Sequence, residues 1–400
     1  MNSNAAWLSR RLMALGFDVT RHLTLPDRMA PIVSEYRASF GRADLVILSG
    51  GLGPTVDDLT REAVSKAAGR KLVRDEAALE GIRSFFARRG REMSANNERQ
   101  AWLPKGAAIV RNDVGTAPGF ALRARRAWVV ALPGVPGELL PMFDSEVVPL
   151  LAKLFPRRPA MAVAEIEIIG LPESTIDRRA GAIASPGGNP RLSLMVRDGS
   201  VCVRLVATGR TAAEARRVLA PAARRMKREF GDRVYGEGGE DIAAVVARIL
   251  LEGKRTLAVA ESCTGGLIGH LLTNVPGISG SLIEDVVTYS NESKSRRLGV
   301  LRATLRAHGA VSAETAREMA EGAAKRSGAD AALATTGVAG PGGGTEAKPV
   351  GLIFSAVRFR GKTTVVEHRT VGDRIAIKAR AARLALDHLR RRLLGLPVPR

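Results

Sequence analysis

Short apolar runs and amphipathic helical stretches alternate along most of this chain. Near the N-terminus, 16–24 (GFDVTRHLT) and 43–50 (ADLVILSG) read as strands, with 30–40 as the helix between them and 127–134 (AWVVALPG) as a later strand. Alternation of this kind predicts a parallel sheet with helices on both faces. The pattern changes over about 162–236. There the strands AEIEIIG and SVCVRLVATG flank a turn-rich ASPGGNP, and a helix over 211–230 closes a small α+β unit. From about Glu240 the first pattern returns. It predicts a helix over 242–251, a strand over 256–260, a helix over 265–273, a strand over 283–288 and a helix begun by Ser312. A strand over 331–335 follows, then a glycine loop, strands 351–357 and 363–368, and a final helix from about Arg374. The expected fold is α/β. Two three-layer α/β domains with mostly parallel sheets, 1–158 and 238–400, are joined by a small α+β domain, 159–237.

A chain of 400 residues is too long for one core, which agrees with that division. The composition, 45% hydrophobic and 25% charged, is that of a soluble globular protein. No apolar run approaches the ~20 residues a bilayer span needs. The start MNSNAAWLSRR carries no signal-peptide apolar segment, so a cytoplasmic location without membrane partners is expected. Two distant cysteines, Cys202 and Cys263, exclude a disulfide framework, and five scattered histidines make no zinc pattern. The net charge of +21 would attract polyanions, but the aromatic content is only 4% and the arginines are spread evenly. Nucleic-acid binding beyond non-specific charge is therefore not expected.

Candidate chemistry concentrates in the last region. In TLAVAESCTGGLIGHLLTN, Ser262, Cys263 and Thr264 stand where a strand turns into a helix, followed by Gly265 and Gly266. A hydroxyl there ordinarily caps the helix. Two glycines are harder to explain, since glycine near a helix start costs about 1 kcal/mol against alanine. They suit close approach of a ligand to backbone amides that can hold a phosphate or an oxyanion. A nucleophilic serine needs a base, and no histidine is well placed. Lysine is the other option. VVTYSNESKSRRLGV offers Lys294 in the first turn of a helix that Asn291 would cap, with Tyr289 at the preceding strand end. The plain reading of both is a surface lysine and a core-edge tyrosine. The loop ATTGVAGPGGGTEAKPVG then places six glycines after a strand, suited to a phosphate or a sugar.

The motifs AESCTGG, VTYSNESK, GVAGPGGGTEAKPVG and VGDR, in this order, resemble the C-terminal domain of the competence/damage-inducible protein A (CinA) family. The resemblance implies nicotinamide mononucleotide deamidase activity, giving nicotinate mononucleotide and ammonia in pyridine nucleotide salvage. It implies Ser262 as the nucleophile, Lys294 and Tyr289 as proton-transfer partners, and Thr336 as a substrate or oxyanion contact. Thr264, Gly265, Gly266, Gly340, Gly342, Gly343 and Arg374 become substrate-binding candidates, with Arg374 for the phosphate and Arg380 as a second choice. No cofactor is required. Backbone amides near Thr264 and Gly265 are expected to hold the oxyanion, and Cys263 to fill core volume. A homo-oligomer is expected.

LSGGLGPTVDDLTREAV, NDVGTAPGF and LPGVPGELLPMF resemble the molybdopterin-binding domain of the same family. That domain is associated with an ADP-ribose pyrophosphatase using a divalent metal. By resemblance Gly51, Gly53, Thr55, Asp57, Asp58 and Thr116 are site candidates, with Asp57 and Asp58 as possible metal ligands at the start of a helix. Family members begin with a strand upstream of what aligns with NSNAAWLSRRL, so the first domain is expected to lack its first strand. A nucleic-acid-associated competence role is a further reading.

Overall fold

The structure is a computed structural model that describes residues 3–197 and 199–398. The chain forms two compact units, Met1–Pro159 and Ala160–Arg400.

In the first unit the strands Leu45–Ser49, Ala127–Leu132, Gly119–Ala124 and Ala108–Val110 lie side by side in that order. The first pair is parallel and the other two pairs are antiparallel. A two-residue turn, Arg125 and Arg126, joins two of them, with Arg125 at φ 50°. Helices cover both faces. Ile32, Val33, Phe40, Ala63 and Val64 pack on Phe120, Leu122 and Val129, while Leu8, Leu12, Leu139 and Phe143 pack on Val130 and Leu132. The stretch 16–24 forms no strand. Its alternation is met by edge packing of Phe17 on Phe155, ring centres 5.2 Å apart, and alternation makes a strand only where a partner edge is offered.

The second unit holds two sheets. The small one orders Val234–Glu237, Ala160–Ile169, Ser200–Gly209 and Arg191–Arg197, all antiparallel, with the helices Glu173–Gly181 and Ala212–Phe230 on one face. The larger sheet orders Leu282–Val287, Leu257–Glu261, Ala331–Gly337, Leu352–Phe359 and Lys362–Arg369. Its first three strands are parallel and its last two antiparallel. The first unit's main sheet and this larger one are thus mixed rather than mostly parallel. In both, the parallel pairs are separated along the chain by helices, while the antiparallel pairs follow connections that hold no helix.

Alternation along the central strands sorts two cores. Leu257, Val259, Ala331 and Leu333 face the helices Ile242–Glu252, Leu267–Thr273 and Arg374–Leu394. Ala258, Ala260, Ala332 and Ala334 face the helix Ala313–Ser327. The alanines let that helix sit close to the sheet. It also sits close to its neighbour Asn291–Leu298: a Cβ on Gly322 would fall 1.8 Å from the Leu298 carbonyl oxygen. The last helix, Arg374–Leu394, is fixed at its far end. Asp387 pairs with Arg390 at 2.7 Å and with Arg391 at 2.8 Å. Arg391 also reaches the Asp232 carboxylate at 2.7 Å, and Arg390 the Asp232 carbonyl at 2.8 Å. Among the described residues no helix is long and apolar enough to cross a membrane.

Candidate active site

The parallel strands Leu257–Glu261, Leu282–Val287 and Ala331–Gly337 end on one edge of the larger sheet, where open α/β sheets bind ligands. Ser262 follows the central strand directly. It lies on the same face as Ala258 and Ala260, the face that also carries the helix Asn291–Leu298 with Lys294. The two side chains meet. Lys294 Nζ donates to Ser262 Oγ at 2.9 Å, to the Thr288 carbonyl at 2.8 Å and to the Tyr289 carbonyl at 3.4 Å. Lys294 is 1% exposed, and among the described residues no carboxylate balances it within salt-bridge distance. Burial lowers its pKa from 10.5 to about 8, and its place in the first turn of a helix pushes the same way. The cap of that helix is Ser290, whose hydroxyl accepts from the Ser293 amide, and not Asn291.

The geometry serves a base. A neutral amine has two N–H donors and one lone pair. Two carbonyls take the donors, which leaves the lone pair facing the serine hydroxyl.

Gly265 and Gly266 adopt φ of 62° and 89°, so the turn itself requires glycine. The Gly265 amide donates back to the Ser262 carbonyl at 3.2 Å and is not free for an oxyanion. The Gly266 and Gly269 amides donate to Glu261 at 2.9 Å each. The amides of Cys263 and Thr264 lie against the Cys263 thiol. That thiol is buried against Ala339, Ile353, Ile377 and Ala381, and burial pushes it up to about 12. As a thiol rather than a thiolate, it is a core filler.

Other expected residues serve different ends. The buried Thr264 hydroxyl bonds Thr335 at 2.8 Å and faces no ligand space. Thr336 lies on the Ser262 face, but its hydroxyl donates to the Ala310 carbonyl at 2.7 Å, because β-strand alternation sends neighbouring threonines opposite ways. The Tyr289 hydroxyl bonds neither Ser262 nor Lys294. It accepts from Arg374 at 2.8 Å, with the residue 63% exposed. Only the Tyr289 backbone serves Lys294. Arg374 also donates to the Gly340 carbonyl at 2.6 Å, tying the last helix to the glycine loop, whose Gly342 and Gly343 are exposed. Arg380 donates to the Val371 carbonyl and packs on Gly199, away from the Ser262–Lys294 pair.

One residue escaped sequence reasoning. Lys378 Nζ would be 3.4 Å from a Cβ on Gly265, so an ammonium sits over the turn after the nucleophile. Its signal was there: Lys378 stands four residues after Arg374 on one helix, on the same face.

In the first unit, Asp57 and Asp58 do not begin a helix; the helix is Thr60–Ala68. Asp58 accepts from the Thr55 amide at 2.9 Å and from the Thr55 hydroxyl, closing the turn after Gly53, where a Cβ would fall 2.4 Å from the Asp58 carboxylate. The Thr55 hydroxyl also lowers the pKa of the exposed Asp57. Gly51 leaves room for Thr60, and the Asn112 side-chain oxygen Oδ1 accepts from the Gly115 amide beside the half-buried Thr116. Among the described residues no group of three or more His, Cys, Asp or Glu gathers as a metal set. With Asp58 spent on its turn, the pair does not fit a metal cage.

Three family models match successive stretches of the chain. The profile described as CinA C-terminal domain matches residues 239–393, that of a damage-inducible protein CinA KH domain 164–236, and that of a probable molybdopterin binding domain 1–153. A CinA-like protein of Geobacter sulfurreducens is 43% identical over 394 residues, 98% of this chain and 95% of its own. A CinA-like protein of Kosmotoga olearia is 39% identical over 396 residues, 99% of this chain and 96% of its own. The crystal structure of a CinA superfamily protein from Klebsiella pneumoniae is 37% identical, covering 38% of this chain and 96% of that one, with a TM-score of 0.38.

Proposed function

This chain belongs to the CinA family, and on that footing we propose that it hydrolyses the carboxamide of nicotinamide mononucleotide to nicotinate mononucleotide and ammonia. The observation that carries the reading is the buried contact of 2.9 Å between Lys294 Nζ and Ser262 Oγ. The neutral Lys294 amine takes the hydroxyl proton as Ser262 Oγ attacks the amide carbon. In this reading the resulting oxyanion meets backbone amides of the turn after Ser262. The Lys294 ammonium then passes its proton to the departing nitrogen, and ammonia leaves an ester on Ser262. A water, losing its proton to Lys294, hydrolyses that ester and restores the hydroxyl. Arg374 and Lys378 supply cations for the substrate phosphate. No step requires a cofactor.

The test is ammonia release from nicotinamide mononucleotide by the full chain. Ser262→Ala should lower the rate on the order of a thousandfold or more. Cys263→Ala should keep it. Turnover that survives the first change and dies with the second would reverse the assignment of the nucleophile.

A further inference from the structure

The face of the sheet opposite Ser262 carries a second cluster that the deamidase chemistry does not use. Glu261, fully buried, precedes the nucleophile by one residue and so points away from it. Its two oxygens accept from the Gly266 and Gly269 amides, holding both ends of the turn's exit into the helix Leu267–Thr273. On the neighbouring parallel strand, Val259 pairs with Asp285 and Glu261 with Val287. Asp285 and Glu261 therefore share a face, two residues apart along paired strands. Gly269 makes the space. A Cβ there would fall 2.0 Å from Asp285 Oδ2 and 2.8 Å from its Cγ. The other oxygen, Oδ1, is shut off from water with no hydrogen-bond partner among the described residues.

We propose that Asp285 and Glu261 hold one proton between them, and that this shared proton makes Asp285 a positioning residue for the turn that presents Ser262. Two carboxyl groups in such a place cannot both ionise without repelling each other. Protonated Asp285 donates to Glu261, which keeps its charge for the two amides. Burial first, then the Glu261 charge, raises Asp285 to about 8. When the proton leaves, the repulsion acts on the strand end and on the helix that Glu261 grips. Gly269, needed to admit Asp285, offers no side chain to brace against it.

Among the described residues few other charges face the pair. On the helix Leu267–Thr273 there is the exposed His270; on Ile242–Glu252, the exposed Arg248 and Glu252; on Arg374–Leu394, Lys378 above Gly265. Glu284 lies on the opposite face, with Ala258 as its register partner, and Lys294 is on that face too.

The sign follows from linkage. Asp285 binds its proton more tightly folded than unfolded, so its contribution is complete below the ordinary carboxyl range and is lost as pH rises towards about 8. Lys294, depressed from 10.5 to about 8, acts only above that window. His368 and His388, depressed by burial to about 4 and about 3, titrate alike with or without Asp285.

Urea denaturation of the full chain, wild type against Asp285→Asn, tests the shared proton between pH 5 and 9. The ratio of folding constants, wild type over variant, should fall by up to about tenfold per pH unit from pH 5 and level off above 8. A ratio independent of pH would overturn the proposal. Should Asp285→Asn fail to fold, Asp285→Ala takes its place with the same expected trend. The positioning role rests on the deamidase reading and is read from turnover. Relative to wild type, Asp285→Asn should match kcat near pH 6.5 and exceed it severalfold at pH 9, with KM unchanged. Equal profiles would remove the positioning role while leaving the shared proton standing. A chain that releases no ammonia would remove the deamidase reading, and the denaturation ratio would still decide the rest.

Discussion

Replacing Lys294 by arginine separates a base from a mere cation. The lysine loses about 2.5 pKa units on folding, from 10.5 to about 8. At 1.36 kcal/mol per unit this disfavours the charged form by about 3 kcal/mol. The neutral amine then makes up about one molecule in ten at pH 7, half at pH 8 and nine in ten at pH 9. If that amine removes the serine proton, kcat/KM for ammonia release in an Asp285→Asn background, where the neighbouring carboxyl does not titrate, should rise about fivefold from pH 7 to 8 and less than twofold from 8 to 9. An arginine side chain stays protonated throughout. Lys294→Arg should therefore lose turnover by a factor on the order of a hundred or more, with no recovery at pH 9. The assay is coupled detection of ammonia with nicotinamide mononucleotide, run across pH at saturating and limiting substrate. A midpoint near 10, or an active arginine variant, would refute the assignment. Stability offers an independent check. Because the folded pKa is depressed, wild-type stability should rise between about pH 8 and 10.5, by up to about 3 kcal/mol, and Lys294→Met should lack that rise.

Three further outcomes are expected. Lys378→Ala should raise KM for the mononucleotide about tenfold while leaving kcat within a few fold, and it should have little effect on the dephosphorylated nucleoside. Gly322→Ala should destabilise the chain by about 1–3 kcal/mol or more in urea, since its Cβ would meet the Leu298 carbonyl, and should lower kcat by shifting the helix that carries Lys294. Tyr289→Phe should keep kcat within a few fold and raise KM, because its hydroxyl bonds Arg374 and not the reacting pair.

Much of this was legible in residue order, where local rules agree with the fold. A short apolar run marked the strand Leu257–Glu261, and the serine at its end lies 2.9 Å from the lysine of the helix Asn291–Leu298. What stayed hidden depends on distant partners. The strand Gly119–Ala124 was missed because its turn is two arginines, with no glycine or asparagine to mark it. The 16–24 stretch alternated without finding an edge. For Thr264, Thr336 and Tyr289, the partner of each hydroxyl is set by which side of a strand or loop it leaves from. The Glu261–Asp285 contact joins residues whose nearness comes only from strand register, and Gly269 reads as an ordinary helix weakness until that register is known.

The final helix is a rod of 21 residues, about 30 Å long, and its two ends answer to different neighbours. One end brings Arg374 to Tyr289 and the glycine loop and Lys378 over the turn after Ser262; the other is bolted, through Arg390 and Arg391, to Asp232 at the foot of the adjoining small sheet. Cutting the chain just before residue 239 would strip away that anchor and strand two sheltered guanidinium groups on a single aspartate. The little α+β layer thus works as a mooring, and slack introduced at Asp232 would be felt a full rod's length away, at Arg374 and Lys378.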